Sequence, residues 1–272
     1  RPATERGPAV LEGRGGGAPI AGTRHIDRRG RSEDTTYTEE NVAEGNKSAL
    51  ILGASSGFGE ASALALAEAG FDIYGVHLDR RAGLEHVKEI VAEIEAVGRR
   101  ALFFNVNAAD AEKRADVLDR IGEETEPGAV RVLLHSLAFG TLRPLVDRNP
   151  KSVITPKQMD MTLDVMSHSL VYWTQVAPLG ITANAIRAGV TDTPALRKIP
   201  GHDRMIEIAR EINPHGRLTT PQDIGRCIVA LSRPETAWMT GNVLRVDGGE
   251  DVVGAGLSGG SDTVAGVSGG GS

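Results

Sequence analysis

Ser48-Ala49-Leu50-Ile51-Leu52-Gly53-Ala54-Ser55-Ser56-Gly57-Phe58-Gly59, followed by the alanine-rich run 60–69, is the stretch on which the reading of this chain turns. Five residues of strand-forming character end at a glycine, and the next glycines open an amphipathic segment, so a strand turns directly into a helix. Glycine at such a turn permits positive φ and lets backbone amides approach a phosphate, which the helix N-terminus then stabilises. The spacing alone also suits a purely structural turn, because the chain holds 34 glycines.

Outward from this turn the chain alternates. Residues 71–78 read as a second strand, 83–97 as a helix with apolar Leu84, Val87, Ile90, Val91 and Ile94, and 101–106 as a third strand. A helix at 111–122, a strand at 130–136 and a helix at 156–175 follow. A strand at 181–187, helices at 202–212 and 221–232, and a last strand at 242–246 complete the pattern. Alternation of this kind predicts an α/β fold, a Rossmann-type doubly wound parallel sheet in three layers. Asp79 closes the second strand about twenty residues after Gly59, where a carboxylate can accept hydrogen bonds from an adenosine ribose and so favours NAD. Arg80 and Arg81 follow at once, and guanidinium groups there can pair with the 2′-phosphate of NADP. The cofactor expected is therefore NAD or NADP, with a lean to NAD.

Residues 1–45 are rich in Gly, Arg, Glu and Thr and carry no periodicity, and residues 254–272 repeat Gly and Ser; both are expected to be disordered. The domain is thus expected at 46–253. A net charge of −6 gives no basic footprint for nucleic acid. The single cysteine, Cys227, excludes an internal disulfide framework and offers no metal cluster. The sequence has no apolar run long enough to cross a membrane and no secretory signal, while Glu5, Glu12, Asp27, Glu33 and Asp34 argue against a mitochondrial presequence. A cytoplasmic location is the expectation.

Three motifs resemble the short-chain dehydrogenase/reductase superfamily: Gly53-x-x-x-Gly57-x-Gly59, Asn105-Val106 after the third strand, and Val246-Asp247-Gly248-Gly249. His135-Ser136-Leu137-Ala138-Phe139-Gly140 with Thr141-Leu142-Arg143-Pro144 is similar to the fourth-strand motif of its enoyl-acyl-carrier-protein reductase-like branch. The run from Ile181 to Pro194 resembles the segment bordering the nicotinamide. The resemblance implies NAD(P)(H)-dependent reduction of an enoyl thioester or a carbonyl, hence fatty acid metabolism, with a small-molecule or acyl-thioester substrate. It implies Gly53, Ser55, Ser56, Gly57, Phe58 and Gly59 at the pyrophosphate, Asp79 and Arg80 at the adenosine ribose, and Asn105 and Val106 at the adenine. It further implies Ser136, Ala138 and Gly140 beside the nicotinamide ribose, and Gly189, Val190, Thr191 and Thr193 at the nicotinamide. Family members are commonly dimers or tetramers.

The same resemblance exposes a gap. The family's catalytic serine, tyrosine and lysine follow the helix that here ends near Gln175, yet Gln175 runs into Val176-Ala177-Pro178-Leu179-Gly180 and then Ile181. One strand and most of one helix are missing by this reading, and with them a face through which family members associate. No catalytic residue is therefore assigned. Tyr172 is the one remaining candidate, but Val176 and Leu179 on its helical face provide no lysine, and its expected role is packing with Leu163, Met166, Leu170 and Trp173. Met166 stands where many members carry an asparagine. His135 and His168 are expected to be structural. Losing a strand and its helix together keeps the alternation in phase, so residues 181–187 could take the vacant place beside 130–136. The alternatives to an impaired oxidoreductase are a non-catalytic dinucleotide-binding module and a deletion product.

Overall fold

Strands β1 (Ser48–Leu52) and β2 (Asp72–His77) are buried at every residue, as a sheet covered by helices on both faces requires. This computed structural model describes residues 47–126, 128–175 and 181–253. The expected tails and the junction at 176–180 lie outside the described residues. The elements follow the alternation: α1 (Gly57–Glu68) after β1, α2 (Leu84–Ala96) after β2, then β3 (Ala101–Asn105), α3 (Ala111–Glu124) and β4 (Val130–His135). Helices α4 (Pro156–Leu163) and α5 (Ser169–Thr174) are joined by a π turn at Asp164–His168, so the expected helix at 156–175 is one helix with a widened middle. Strand β5 (Ala185–Ala188), α6 (His202–Ile212), α7 (Pro221–Leu231) and β6 (Val243–Val246) follow.

The first four strands form one parallel sheet in the order β3-β2-β1-β4, which reverses direction between β1 and β4 and so opens a crevice at that point. On one face lie α1, α2 and α7, around a core of Ile51, Leu66, Ile73, Ile90, Ile94 and Ile224. Against the other face pack α3 and α5, through Val117, Ile121 and Trp173. Alanines let α1 approach α7 closely: a Cβ on Gly225 would stand 2.7 Å from the Ala61 carbonyl oxygen.

The strand expected at 181–187 departs from its expected place. It is shorter, at Ala185–Ala188, and it pairs with β6 in a separate two-stranded parallel sheet rather than with β4. Two local causes hold it there. Residues 183–184 are tied to the turn before β6: the Gly241 backbone amide donates to the Ala183 carbonyl at 2.7 Å, and Asn184 Nδ2 donates to the Met239 carbonyl at 2.8 Å. Ile186, Ala188 and Val246 then pack onto the α1 and α7 core, which already fixes β6. Among the described residues, the outer edge of β4 has no strand partner.

Helix α7 begins with a capping box in which the Thr220 hydroxyl accepts from the Asp223 amide and the Asp223 carboxylate accepts from the Thr220 amide at 2.8 Å. Arg217 bonds the same carboxylate at 2.7 Å and holds it well below the usual carboxylate range, with the Thr220 bonds adding and partial burial opposing. A carboxyl with a depressed folded-state pKa contributes stability that is complete above its unfolded value, near pH 4, and is lost as pH falls below it. Thr220→Ala is expected to cost about 1 kcal/mol in denaturant unfolding. Asp223→Asn should lower Tm at pH 7 and flatten the fall in stability between about pH 4 and pH 2; an unchanged acid limb would contradict the assignment.

Candidate functional site

The site is built on backbone. At the end of β1 the Gly53 amide donates to the Val76 carbonyl at 2.8 Å, and the Ser136 amide at the end of β4 donates to the Leu52 carbonyl at 2.8 Å. Gly53 has φ of +90°, and the Ser136 carbonyl occupies the place a Cβ on Gly53 would take. Gly59 is as crowded, with the Gly53 carbonyl in its Cβ position. The turn that follows β1 therefore folds back onto the first turn of α1 with no side chain between, and only glycine fits at either place.

The N-terminus of α1 is left open. Ser56 is the N-cap residue, yet its side chain caps nothing, whereas Asp110, Thr155 and Thr220 each cap their helices. The first amides of a helix with no capping side chain are donors for an anion, and the helix dipole adds to their attraction. Phe58 turns its ring to the core, so at that position only backbone faces the turn. Gly57 has φ of +57°, and a Cβ there would lie 3.6 Å from the Thr193 methyl. That contact brings the segment after β5 over the glycine turn.

Asp79 is clamped at the end of β2. Its amide donates to Asn105 Oδ1 at 3.0 Å, Asn105 Nδ2 donates to its carbonyl at 3.0 Å, and its Oδ2 pairs with His77 Nδ1 at 2.9 Å. The Asn105 side chain is thus spent on tying β3 to β2. Arg80 is exposed and makes no salt bridge among the described residues. Ala138 and Gly140 are exposed in the segment after β4, and Gly140 lies against Thr162 and the Met166 sulfur of the α4 helix region.

After β5, the Gly189 amide donates to the Val246 carbonyl at 3.1 Å, and the Thr191 hydroxyl donates to the Gly189 carbonyl at 2.9 Å. The Val190 amide donates to the Glu250 carboxylate at 3.2 Å, a partner that motif spacing did not suggest. Thr193 Oγ1 accepts from the Leu196 amide at 3.2 Å, which leaves its own proton for another acceptor. The glycine turn, Asp79, Asn105, Ser136 and Gly189–Thr193 all stand at the carboxyl ends of their strands, as ligand sites in open parallel sheets do.

Neither described tyrosine has a lysine partner of the kind the family's chemistry uses. Of the residues expected to pack with Tyr172, Leu163, Met166 and Leu170 are exposed and Trp173 is buried, while the Tyr172 phenol donates to Asp164 at 2.9 Å. Tyr172 lies on a different helical face from Met166, turned toward α3 with Arg114 over its ring. The Asp164 bond, with some burial, raises its pKa above the ordinary phenol value, the wrong direction for a base. Tyr74 is wholly buried in β2. His135 Nε2 meets the buried Ser169 hydroxyl at 2.9 Å, and burial lowers its pKa, consistent with a structural imidazole. Burial raises the Cys227 thiol, so it is a poor nucleophile. A cavity of about 360 Å³ lies instead between Asn213, Arg217, Asp223 and Val246–Gly249, but Arg217 is paired with Asp223 and Arg245 with Asp251.

Comparison with known proteins gives the lineage. The family model described as short chain dehydrogenase matches residues 47–177, and that described as Enoyl-(Acyl carrier protein) reductase matches 174–250. The 3-oxoacyl-[acyl-carrier-protein] reductase FabG of Thermotoga maritima is 23% identical, across 75% of this chain and 97% of its own length. That alignment spans 246 positions, roughly 40 more than the share of this chain it takes in. The short-chain reductase protein NovJ of Streptomyces niveus is 35% identical over 80 residues, 30% of its length. Among solved structures, YwfH, an NADPH-dependent reductase of bacilysin biosynthesis, superposes with a TM-score of 0.62 at 18% identity, covering 75% of this chain and 98% of its own. The 3-oxoacyl-[acyl-carrier protein] reductase of Brucella melitensis, in complex with NAD, gives 0.61 at 17%, covering 77% and 99%.

Gly57→Val places a branched side chain where φ is positive and toward Thr193, at a backbone cost of about 1–2 kcal/mol. It is expected to weaken NADH and NADPH binding at least tenfold by titration calorimetry, with the far-UV circular dichroism retained. Unchanged affinity would place the dinucleotide elsewhere.

Proposed function

Because this chain belongs to the short-chain dehydrogenase/reductase family, we propose that it binds NAD(P)(H) at the glycine turn and descends from a reductase of carbonyls or enoyl thioesters, with turnover impaired. The observation that carries the reading is the uncapped N-terminus of α1 above a turn in which Gly53 and Gly59 leave no room for a side chain. Residues 53–59 would hold the pyrophosphate, through the amides around Ser55, Ser56, Gly57 and Gly59. Asp79 would take the ribose hydroxyls, with Asn105 and Val106 at the adenine; Ser136, Ala138 and Gly140 would border the nicotinamide ribose, and Gly189, Val190, Thr191 and Thr193 the nicotinamide. When bound, the reduced cofactor supplies the hydride.

The chain's own groups account for the rest. Thr193 has a hydroxyl proton to offer, and the Val190 amide can serve a carboxamide once Glu250 moves aside. Asp79 favours a ribose carrying two hydroxyls, which supports the lean to NAD, while Arg80 offers charge to a 2′-phosphate. What the described residues lack is a tyrosine acid supported by a lysine. Reduction of a carbonyl or an enoyl thioester builds negative charge on oxygen, and a positioned acid contributes about 10²–10⁴-fold to such a step. Tyr172 is turned to Asp164 and Tyr74 is buried, so neither serves. The surplus of positions in the FabG alignment and, among the described residues, the unpaired outer edge of β4 both support the loss of a strand and helix after Gln175. A cytoplasmic reductase of fatty acid metabolism is the ancestry we favour. Binding without turnover is the second reading, favoured by the same missing acid.

The test inserts, between Gln175 and Val176, a strand and helix bearing serine, tyrosine and lysine. Thioester- or ketone-dependent NAD(P)H oxidation should rise by roughly 10²-fold or more, and the same insert with its tyrosine changed to phenylalanine should stay slow. High activity in the unmodified chain, abolished by Tyr172→Phe, would overturn the proposal.

A further inference from the structure

The pairing of His77 with Asp79 has no counterpart in the motifs that define the site. His77 is the last residue of β2 and is buried, while Asp79, two residues on, is partly exposed at the rim of the crevice. Resting on the dinucleotide reading above, we infer that His77 is a positioning residue that sets cofactor selectivity by fixing the Asp79 carboxylate.

An ionised carboxylate only accepts, so the 2.9 Å contact makes His77 Nδ1 the donor to Asp79 Oδ2. His77 is itself held: it lies in a strand paired on both sides, its backbone carbonyl accepts from the Val106 amide at 2.8 Å, and its ring centroid rests 6.2 Å from that of Phe103. On the opposite side Oδ1 faces Gly83, where a Cβ would stand 2.7 Å from it. Asn105 fixes the Asp79 backbone through both its amide and its carbonyl. The carboxylate is thus confined by a donor on one side and a bare backbone on the other, and neither Arg80 nor Arg81 is within salt-bridge distance of it.

The two cofactors respond differently to this confinement. A carboxylate held in place can accept from vicinal ribose hydroxyls, and the same fixed charge repels a 2′-phosphate. Released, it can swing aside and leave the phosphate to Arg80 and Arg81. Loss of His77 should therefore weaken NADH and strengthen NADPH, whereas general damage to the site would weaken both alike.

The test titrates NADH and NADPH separately into the full 272-residue chain and follows the ratio of their dissociation constants. In His77→Leu the ratio Kd(NADPH)/Kd(NADH) should fall about tenfold, the scale of one charge-assisted hydrogen bond. His77→Asn, which retains a donor near the Nδ1 position, should restore most of it. Gly83→Ala presses on Oδ1 from the other side and should lower the ratio too, so it decides the matter if His77→Leu does not fold. An unchanged ratio in the folded variants, or equal weakening of both cofactors, would overturn the role of His77 and leave the dinucleotide site standing. Binding of neither cofactor by the unmodified chain would overturn both.

Discussion

The carbonyl of Ser136 lies where the side chain of residue 53 would be, and the carbonyl of Gly53 lies where that of residue 59 would be. Two backbone-on-backbone contacts in succession fix β4 against the end of β1 and the first turn of α1 against both. Any Cβ at these positions would push β4 away or lift α1 off the sheet. Because α1 also carries the packing against α7, and α7 and α1 together carry β5 and β6, the fold hangs from this turn. The uncapped amides at the start of α1 are a consequence of the same geometry, since the chain enters the helix from a tight turn in which Ser56 is extended, with its side chain making no cap.

The site is assembled in two parts of different origin. The glycine turn, Asp79, Asn105 and Ser136 belong to the four-stranded sheet, while Gly189–Thr193 belong to the two-stranded one. No strand joins the two sheets among the described residues. They are linked through the core around α1 and α7, and through the approach of Thr193 to Gly57. The half on the four-stranded sheet is braced by paired strands, with β1 and β2 flanked on both sides. The half after β5 rests on helix packing and on the bonds of residues 183–184 with the turn before β6.

Strand identity and order of elements were legible because a fully buried parallel strand is built around a short apolar stretch, as Ala49–Leu52 in β1 and Ile73–Val76 in β2 are. The glycine turn was legible because steric exclusion leaves a compositional trace. The lateral position of β5 was not: pairing partners depend on which core a strand's alternate residues reach, and the periodicity of 181–187 is the same beside β4 or beside β6. Tyr172 illustrates a second limit. Its neighbours in sequence are apolar, but the π turn shifts the face it presents, and Asp164 captures its hydroxyl. The His77 and Glu250 contacts had no sequence signal beyond the presence of residues able to make them.

A dinucleotide bound as proposed would bridge the two halves of this site. Hydrogen exchange read by mass spectrometry, with and without saturating NADH or NADPH, tests this bridging most directly. Exchange is expected to slow at 53–59 and, together with it, at 189–193, since one ligand covers both. Protection confined to residues 213–219 and 245–249 around the 360 Å³ cavity, or no protection at either segment, would contradict it.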